Sequence, residues 1–166
     1  MDVVYIVIIL MMLIGLGIFY YFYTLNTHIV RIDKNQIMEF KTSMDLTGLP
    51  IITFYQGKEK YNFLLDTGSN TSYVNKQSNL EIVRTGVKDV FMGAEGTDME
   101  CENVSVKFYR DNNEYECIAA LADLNAAFEE MKRCYGVTIS GILGCNFMDK
   151  YNYCLDFKEL VVYIRK

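Results

Sequence analysis

The string Phe63-Leu64-Leu65-Asp66-Thr67-Gly68-Ser69-Asn70-Thr71-Ser72 decides how this chain is read. An apolar run meets an acid, a hydroxyl and a glycine. That pattern describes a strand leaving a core and turning sharply at Asp66, with Gly68 letting the backbone bend and approach closely. Thr67 and Ser69 set hydroxyls beside the carboxylate, and Ser69 is expected to donate to its outer oxygen. A half-buried, hydrogen-bonded carboxylate so placed can serve as a general base on water. Taken alone, Asp-Thr-Gly-Ser is a short pattern that equally suits a plain turn between two strands.

On either side of this string the alternation is that of strands. Ile52 and Phe54, then Phe63 and Leu65, flank a polar Gln56-Gly57-Lys58-Glu59 turn, which is a hairpin signal. Val104, Val106 and Phe108 alternate with polar neighbours up to an Asp111-Asn112-Asn113 turn, and Tyr115–Leu121 follows. Tyr153, Leu155 and Phe157 lead through Lys158-Glu159 to Val161–Ile164. Helical spacing is confined to Leu124, Ala127, Phe128, Met131 and Tyr135, with Asp123 as N-cap and Gly136 as terminator. A second short helix is expected over Asn146–Lys150. Residues 49–166 are therefore a mainly β domain with one or two short helices, and 26–48 read as a linker that becomes ordered near Met38–Phe40.

Residues 3–25 are different. In these 23 positions only Gly15, Gly17 and Thr24 are not hydrophobic. As a helix, Val3 to Tyr23 would span roughly 31 Å, about one bilayer core, with Tyr20, Tyr21 and Tyr23 at headgroup level. A cleaved signal peptide would have a basic start and a small-residue cleavage site. Here only Asp2 precedes the block, and bulky aromatics end it. One transmembrane helix is expected. Arg31, Lys34 and Lys41 follow it and nothing basic precedes it, so the positive-inside tendency puts the C-terminal domain in the cytoplasm. Five cysteines without CxxC spacing suit free thiols on apolar positions in a reducing compartment. Two glycosylation sequons, Asn70-Thr71-Ser72 and Asn103-Val104-Ser105, are patterns common by chance.

From Arg31 onward 16 basic residues face 20 acidic ones, an acidic balance that argues against a nucleic-acid partner. His28 is the only histidine and stands beside the apolar block. That excludes a Ser-His or Cys-His nucleophilic site within one soluble domain. No metal site and no cofactor is expected.

With its surroundings, the opening string resembles the active-site loop of aspartic proteases. About 75 residues downstream, Ser140-Gly141-Ile142-Leu143-Gly144 is similar to that family's hydrophobic-hydrophobic-glycine element, and Asn146-Phe147-Met148 follows it. Between them, Phe91-Met92-Gly93-Ala94-Glu95-Gly96 stands where the family has its flap hairpin, and the Leu155-Asp156-Phe157 hairpin closes the chain as in the retroviral branch. The resemblance covers roughly Leu49 to Ile164. It implies a single-lobe retropepsin-like barrel, here preceded by a membrane anchor.

The resemblance also implies a division of labour. Only one Asp-Thr-Gly occurs, so it implies a homodimer in which two Asp66 carboxylates share one proton and activate a water. Asp66, Thr67 and Gly68 are the catalytic candidates, with Thr67 bracing the two loops. Ser69, Gly93, Ala94, Glu95 and Gly96 are candidates for meeting a peptide substrate. Ile142, Leu143 and Gly144 are expected to support the loop from beneath. A Ser69 hydrogen bond to Asp66 would set the activity maximum on the acid side of neutral. The chain departs from the family in its anchor and in its helix near 123–135. Two other readings stand beside this one. The phosphate-binding turn of sugar kinases and actin-like ATPases needs two large domains, which this length does not provide. A catalytically silent dimer of the same fold, serving as a membrane-bound adaptor or peptide binder, is the alternative.

Overall fold

The computed structural model describes the backbone of residues 3–27, 32–92 and 98–165, and the side chains of 11–23, 36–90 and 100–164. The chain forms two units, residues 1–31 and Ile32–Arg165, each described by itself. The first is helix α1 (Val3–Thr27). Its described side chains, Met11 to Tyr23, are all exposed. Among the described residues no helix is long and apolar enough to cross a membrane. The side chains described in α1 cover Met11 to Tyr23, a shorter section than the block expected over Val3 to Leu25. His28 lies outside the described residues.

The second unit is mainly β. Strand β1 (Ile32–Glu39) and helix α2 (Lys41–Thr47) open it. Ordering near Met38–Phe40, expected within the 26–48 linker, agrees with the burial of both residues in the main core, but regular structure begins earlier, at Ile32. That earlier start escaped the sequence because β1 pairs only with the far end of the chain, β10 (Val161–Arg165), in the sheet β1-β10-β9 with β9 (Tyr153–Asp156). The turn between β9 and β10 is held by the Asp156 carboxylate, which accepts the N–H groups of Lys158 and Glu159 at 2.9 and 3.0 Å.

The remaining strands are β2 (Ile51–Gln56), β3 (Glu59–Leu65), β4 (Ser72–Asn75), β5 (Ile82–Met92), β6 (Asp98–Arg110), β7 (Asn113–Ala122) and β8 (Ile139–Leu143). They run in the order β2-β3-β8-β4-β7-β6-β5, and a β2–β6 pairing at Tyr55 and Tyr109 closes six of them into a barrel. The Gln56 side chain seals this seam, donating to the carbonyls of Lys107 and Glu81 and accepting the Glu81 N–H. The β2–β3 hairpin turns at Gly57, with φ +58°. The β6–β7 hairpin turns on Asp111 and Asn112, both at positive φ. Two such residues match the twist of the flanking strands, and Asp and Asn tolerate that conformation best among residues with a side chain.

The inward faces of these strands supply Phe54, Phe63, Phe108 and Tyr115, all buried, and helix α4 (Cys145–Lys150) adds Phe147. Phe54 and Phe108 have ring centroids 4.5 Å apart, and Phe63 and Phe108 5.0 Å. Each such ring contributes roughly 1.5–3 kcal/mol on burial. Helix α3 (Asn125–Tyr135) ends on Gly136 at φ +66° and rests on a smaller cluster of Ile51, Met131 and Ile139. Its N-cap position is Leu124, one residue after the expected Asp123, and the Asp123 carboxylate still accepts the Asn125 N–H at the helix start. Ala127 and Tyr135 of the expected stripe are exposed, so α3 buries a narrow edge only.

Candidate active site

Strand β8 enters between β3 and β4, parallel to the first and antiparallel to the second. Residues 66–71 join β3 to β4, so this loop has to straddle the end of β8. Its placement is fixed by backbone bonds across that end. Asp66 N–H donates to the Leu143 carbonyl at 3.0 Å, and Leu65 N–H to the Pro50 carbonyl at 2.9 Å. From the first turn of α4, Cys145 N–H donates to the Ser69 carbonyl at 2.8 Å and Asn146 N–H to the Asn70 carbonyl at 3.2 Å.

These approaches leave no space for side chains at two glycines. A Cβ at Gly144 would lie 2.6 Å from the carbonyl oxygens of both Ser69 and Thr71. One at Gly141 would collide with the Tyr73 carbonyl oxygen and lie 2.8 Å from the Phe63 ring. Leu143 is buried beneath the loop, and half-buried Ile142 pairs with Leu64 on one side and Tyr73 on the other. The Ile142-Leu143-Gly144 element and the Asp66 loop are thus brought together from 76 to 78 positions apart.

Within the loop, Asp66 is half-buried and Thr67 and Gly68 are exposed. Asp66 Oδ1 accepts the Gly68 N–H at 2.9 Å, which folds the turn tightly over the carboxylate. Gly68 is not at positive φ. A Cβ there would stand 3.2 Å from Asp66 Oδ1, close enough that the carboxylate would have to shift by a few tenths of an ångström. The Thr67 carbonyl accepts the Cys145 thiol at 3.4 Å.

Ser69 departs from expectation. Its hydroxyl donates to the Thr71 carbonyl at 2.6 Å, not to Asp66. The same hydroxyl lies against the Tyr73 phenol. That phenol is pushed up first by burial and then by Cys101, and Ser69 pulls it back. A short Ser69 side chain satisfies the nearest carbonyl of its own turn, which local spacing could not foretell.

The flap candidates Gly93, Ala94, Glu95 and Gly96 lie outside the described residues. The two arms that lead to them, β5 and β6, pair antiparallel up to Met92 and Asp98. A cleft of about 840 Å³ runs along α3 between Asn75, Asp123 and Lys132, and none of residues 66–69 lines it.

Two residues to which the sequence reading gave no role belong to the site's frame: Ser72, buried, and Asn146, whose side chain meets it. The only signal available was their position just after the two motifs. Cysteines were expected on apolar buried positions. Cys101 and Cys117 are buried, whereas Cys134 on α3 is exposed and Cys145 and Cys154 are half-buried. Burial pushes the Cys117 thiol up to about 11. Among the described residues no group of three or more His, Cys, Asp or Glu could hold a metal ion. No protein-family model matches the chain, and no curated protein matches it.

Proposed function

We propose that the chain is a membrane-anchored, retropepsin-like aspartic endopeptidase that hydrolyses peptide bonds with the Asp66 carboxylates of two subunits. The observation that carries this reading is the manner in which Asp66 is presented. It sits on an exposed tight turn braced by the end of β8, and glycine is required at 141 and 144 for that bracing. A plain surface turn has no use for such a scaffold. One chain supplies one carboxylate at this turn, which supports a twofold dimer with the two turns face to face.

In such a dimer the ionised Asp66 takes a proton from water while the protonated one donates to the scissile carbonyl oxygen. The water oxygen bonds to the carbonyl carbon, giving a tetrahedral intermediate. Its collapse breaks the C–N bond: the carboxyl now protonated gives its proton to the leaving nitrogen, the other takes one from a hydroxyl of the intermediate, and the pair again holds one proton. Thr67 braces the two turns across the axis. Gly93, Ala94, Glu95 and Gly96 are the residues proposed, from the resemblance, to meet the peptide and shield it from water. Substrate is an extended peptide or protein segment, and no cofactor takes part.

The apolar block at Val3 to Leu25 supports the anchor, and Arg31, Lys34 and Lys41 behind it support a cytoplasmic catalytic unit. Two anchors in one bilayer raise the local concentration of subunits and favour pairing. The decisive comparison uses the full chain in detergent micelles against a peptide library, wild type beside Asp66→Asn, with and without a pepstatin-like inhibitor. Hydrolysis should vanish with the substitution and with the inhibitor. Turnover by Asp66→Asn within about tenfold of wild type would sink the reading, since a lost catalytic group costs far more. An intact fold and dimer with no hydrolysis in either form would favour the silent adaptor.

A further inference from the structure

A loop holds a reacting group only as well as its supports allow, and here the support has a polar centre. Ser72 is fully buried where the Asp66 loop becomes β4. Its hydroxyl is used in both directions. It donates to Asn146 Oδ1 at 2.7 Å and accepts the Gly144 N–H at 3.0 Å. Asn146 in turn donates from Nδ2 to the Ile118 carbonyl of β7 at 2.8 Å, and from its backbone N–H to the Asn70 carbonyl of the loop. One residue of α4 therefore joins the loop, β4 and β7, which lie 74 and 28 positions away at Ser72 and Ile118. Neither side chain is bonded to Asp66.

We propose that Ser72 and Asn146 act as a clamp that registers α4 against the Asp66 loop and so sets the height and direction of the carboxylate. They are positioning residues. The catalytic consequence rests on the protease reading, while the structural one does not. Without the Ser72 hydroxyl, the buried Gly144 N–H and Asn146 Oδ1 both lose their partner. Without the Asn146 amide, the Ile118 carbonyl and the Ser72 hydroxyl lose theirs. In either case α4 is released from the loop, and the bonds from Cys145 and Asn146 N–H to Ser69 and Asn70 loosen. A shift of the loop by about 1 Å is enough to lower turnover by about 100-fold, whereas peptide held along its other contacts still binds. The loss belongs to kcat more than to KM.

The test uses the full chain in detergent micelles, as wild type, Ser72→Ala, Asn146→Ala and the double variant, with Met131→Ala as a destabilised control outside the loop and outside the main core. Two readouts are taken: kcat and KM on a cleaved peptide, and amide hydrogen exchange. Each single variant should lower kcat by about 30-fold or more with KM changed by less than about threefold. The double variant should be little worse than the poorer single, because the two act as one unit. Protection of the Cys145 and Asn146 amides should fall by at least about tenfold while that of the β2–β3 hairpin stays. Asn146 is exposed, so its variant keeps the test open if Ser72→Ala fails to fold. The clamp is overturned if both amides keep their protection. It is overturned equally if the kcat losses multiply in the double variant or are matched by Met131→Ala. Should Asp66→Asn hydrolyse as well as wild type, the protease reading falls, and the exchange data alone decide the clamp.

Discussion

Ser69 shows how much one hydrogen bond decides. With its hydroxyl on the Thr71 carbonyl at 2.6 Å, it gives no proton to the Asp66 carboxylate. Replacing Ser69 with alanine should therefore leave both limbs of the pH profile of kcat/KM where they are. A move of both limbs towards higher pH would show that the hydroxyl turns to Asp66 in the dimer. Cys117 makes a prediction of opposite kind. Burial raises its folded-state value from 9.0 to about 11, so its contribution to stability is complete below about pH 9. It is lost as pH rises to about 11, because the unfolded thiol ionises first and draws the chain towards unfolding. The amount at stake is about 2–3 kcal/mol. Urea titrations across this range should show a steeper loss for wild type than for Cys117→Val, which lacks the ionising group. Parallel slopes would contradict it. Iodoacetamide at pH 8 should meanwhile label exposed Cys134 well before Cys117.

At the scale of elements, β8 is the strand on which the site depends. It is five residues long, and its two glycines, Gly141 within it and Gly144 just past its end, fit against carbonyl oxygens. Backbone cannot yield as the far end of a flexible side chain can. Gly144→Ala should therefore cost about 2–3 kcal/mol or more in urea unfolding, and it should displace the Ser69 and Thr71 carbonyls together. A loss below about 0.5 kcal/mol would mean that the loop is not seated on β8. Helix α3 stands apart from this requirement. Its one buried residue, Met131, packs in the smaller cluster and not in the main aromatic core.

At the scale of the molecule, the folded unit begins at Ile32, and its first and last strands pair with each other. The Asp66 turn is exposed, and the mechanism proposed above needs the same turn from a second copy of the chain. Mixing wild type with Asp66→Asn at equal amounts, with time for exchange, should leave about a quarter of the activity, since only the wild-type pair keeps both carboxylates. About half would mean that each chain works alone. Protease added outside intact cells should spare residues after 31 if the unit is cytoplasmic, and digestion there would reverse the orientation.

What the sequence determined by itself is local. Alternation predicted the strand pairs, since side chains two apart share a face. Gly57, Gly136 and the Asp111-Asn112 pair predicted the turns, because few residues adopt positive φ cheaply. The Phe63–Ser69 string predicted a carboxylate at a tight turn, and 3–25 stood out by apolarity alone. Apart from the support of the Asp66 loop by Ile142, Leu143 and Gly144, which the family resemblance implied, tertiary structure decided what joins distant positions. It put β8 between β3 and β4, gave Gly141 and Gly144 their necessity, turned Ser69 towards Thr71, and joined Ser72 to Asn146. It also made a strand of 32–39 by pairing it with the C-terminus. The physical reason is the same in each case. Periodicity records which face of a segment is buried, whereas a pairing between residues 70 or more positions apart depends on which other backbone arrives there, and no local pattern carries that information.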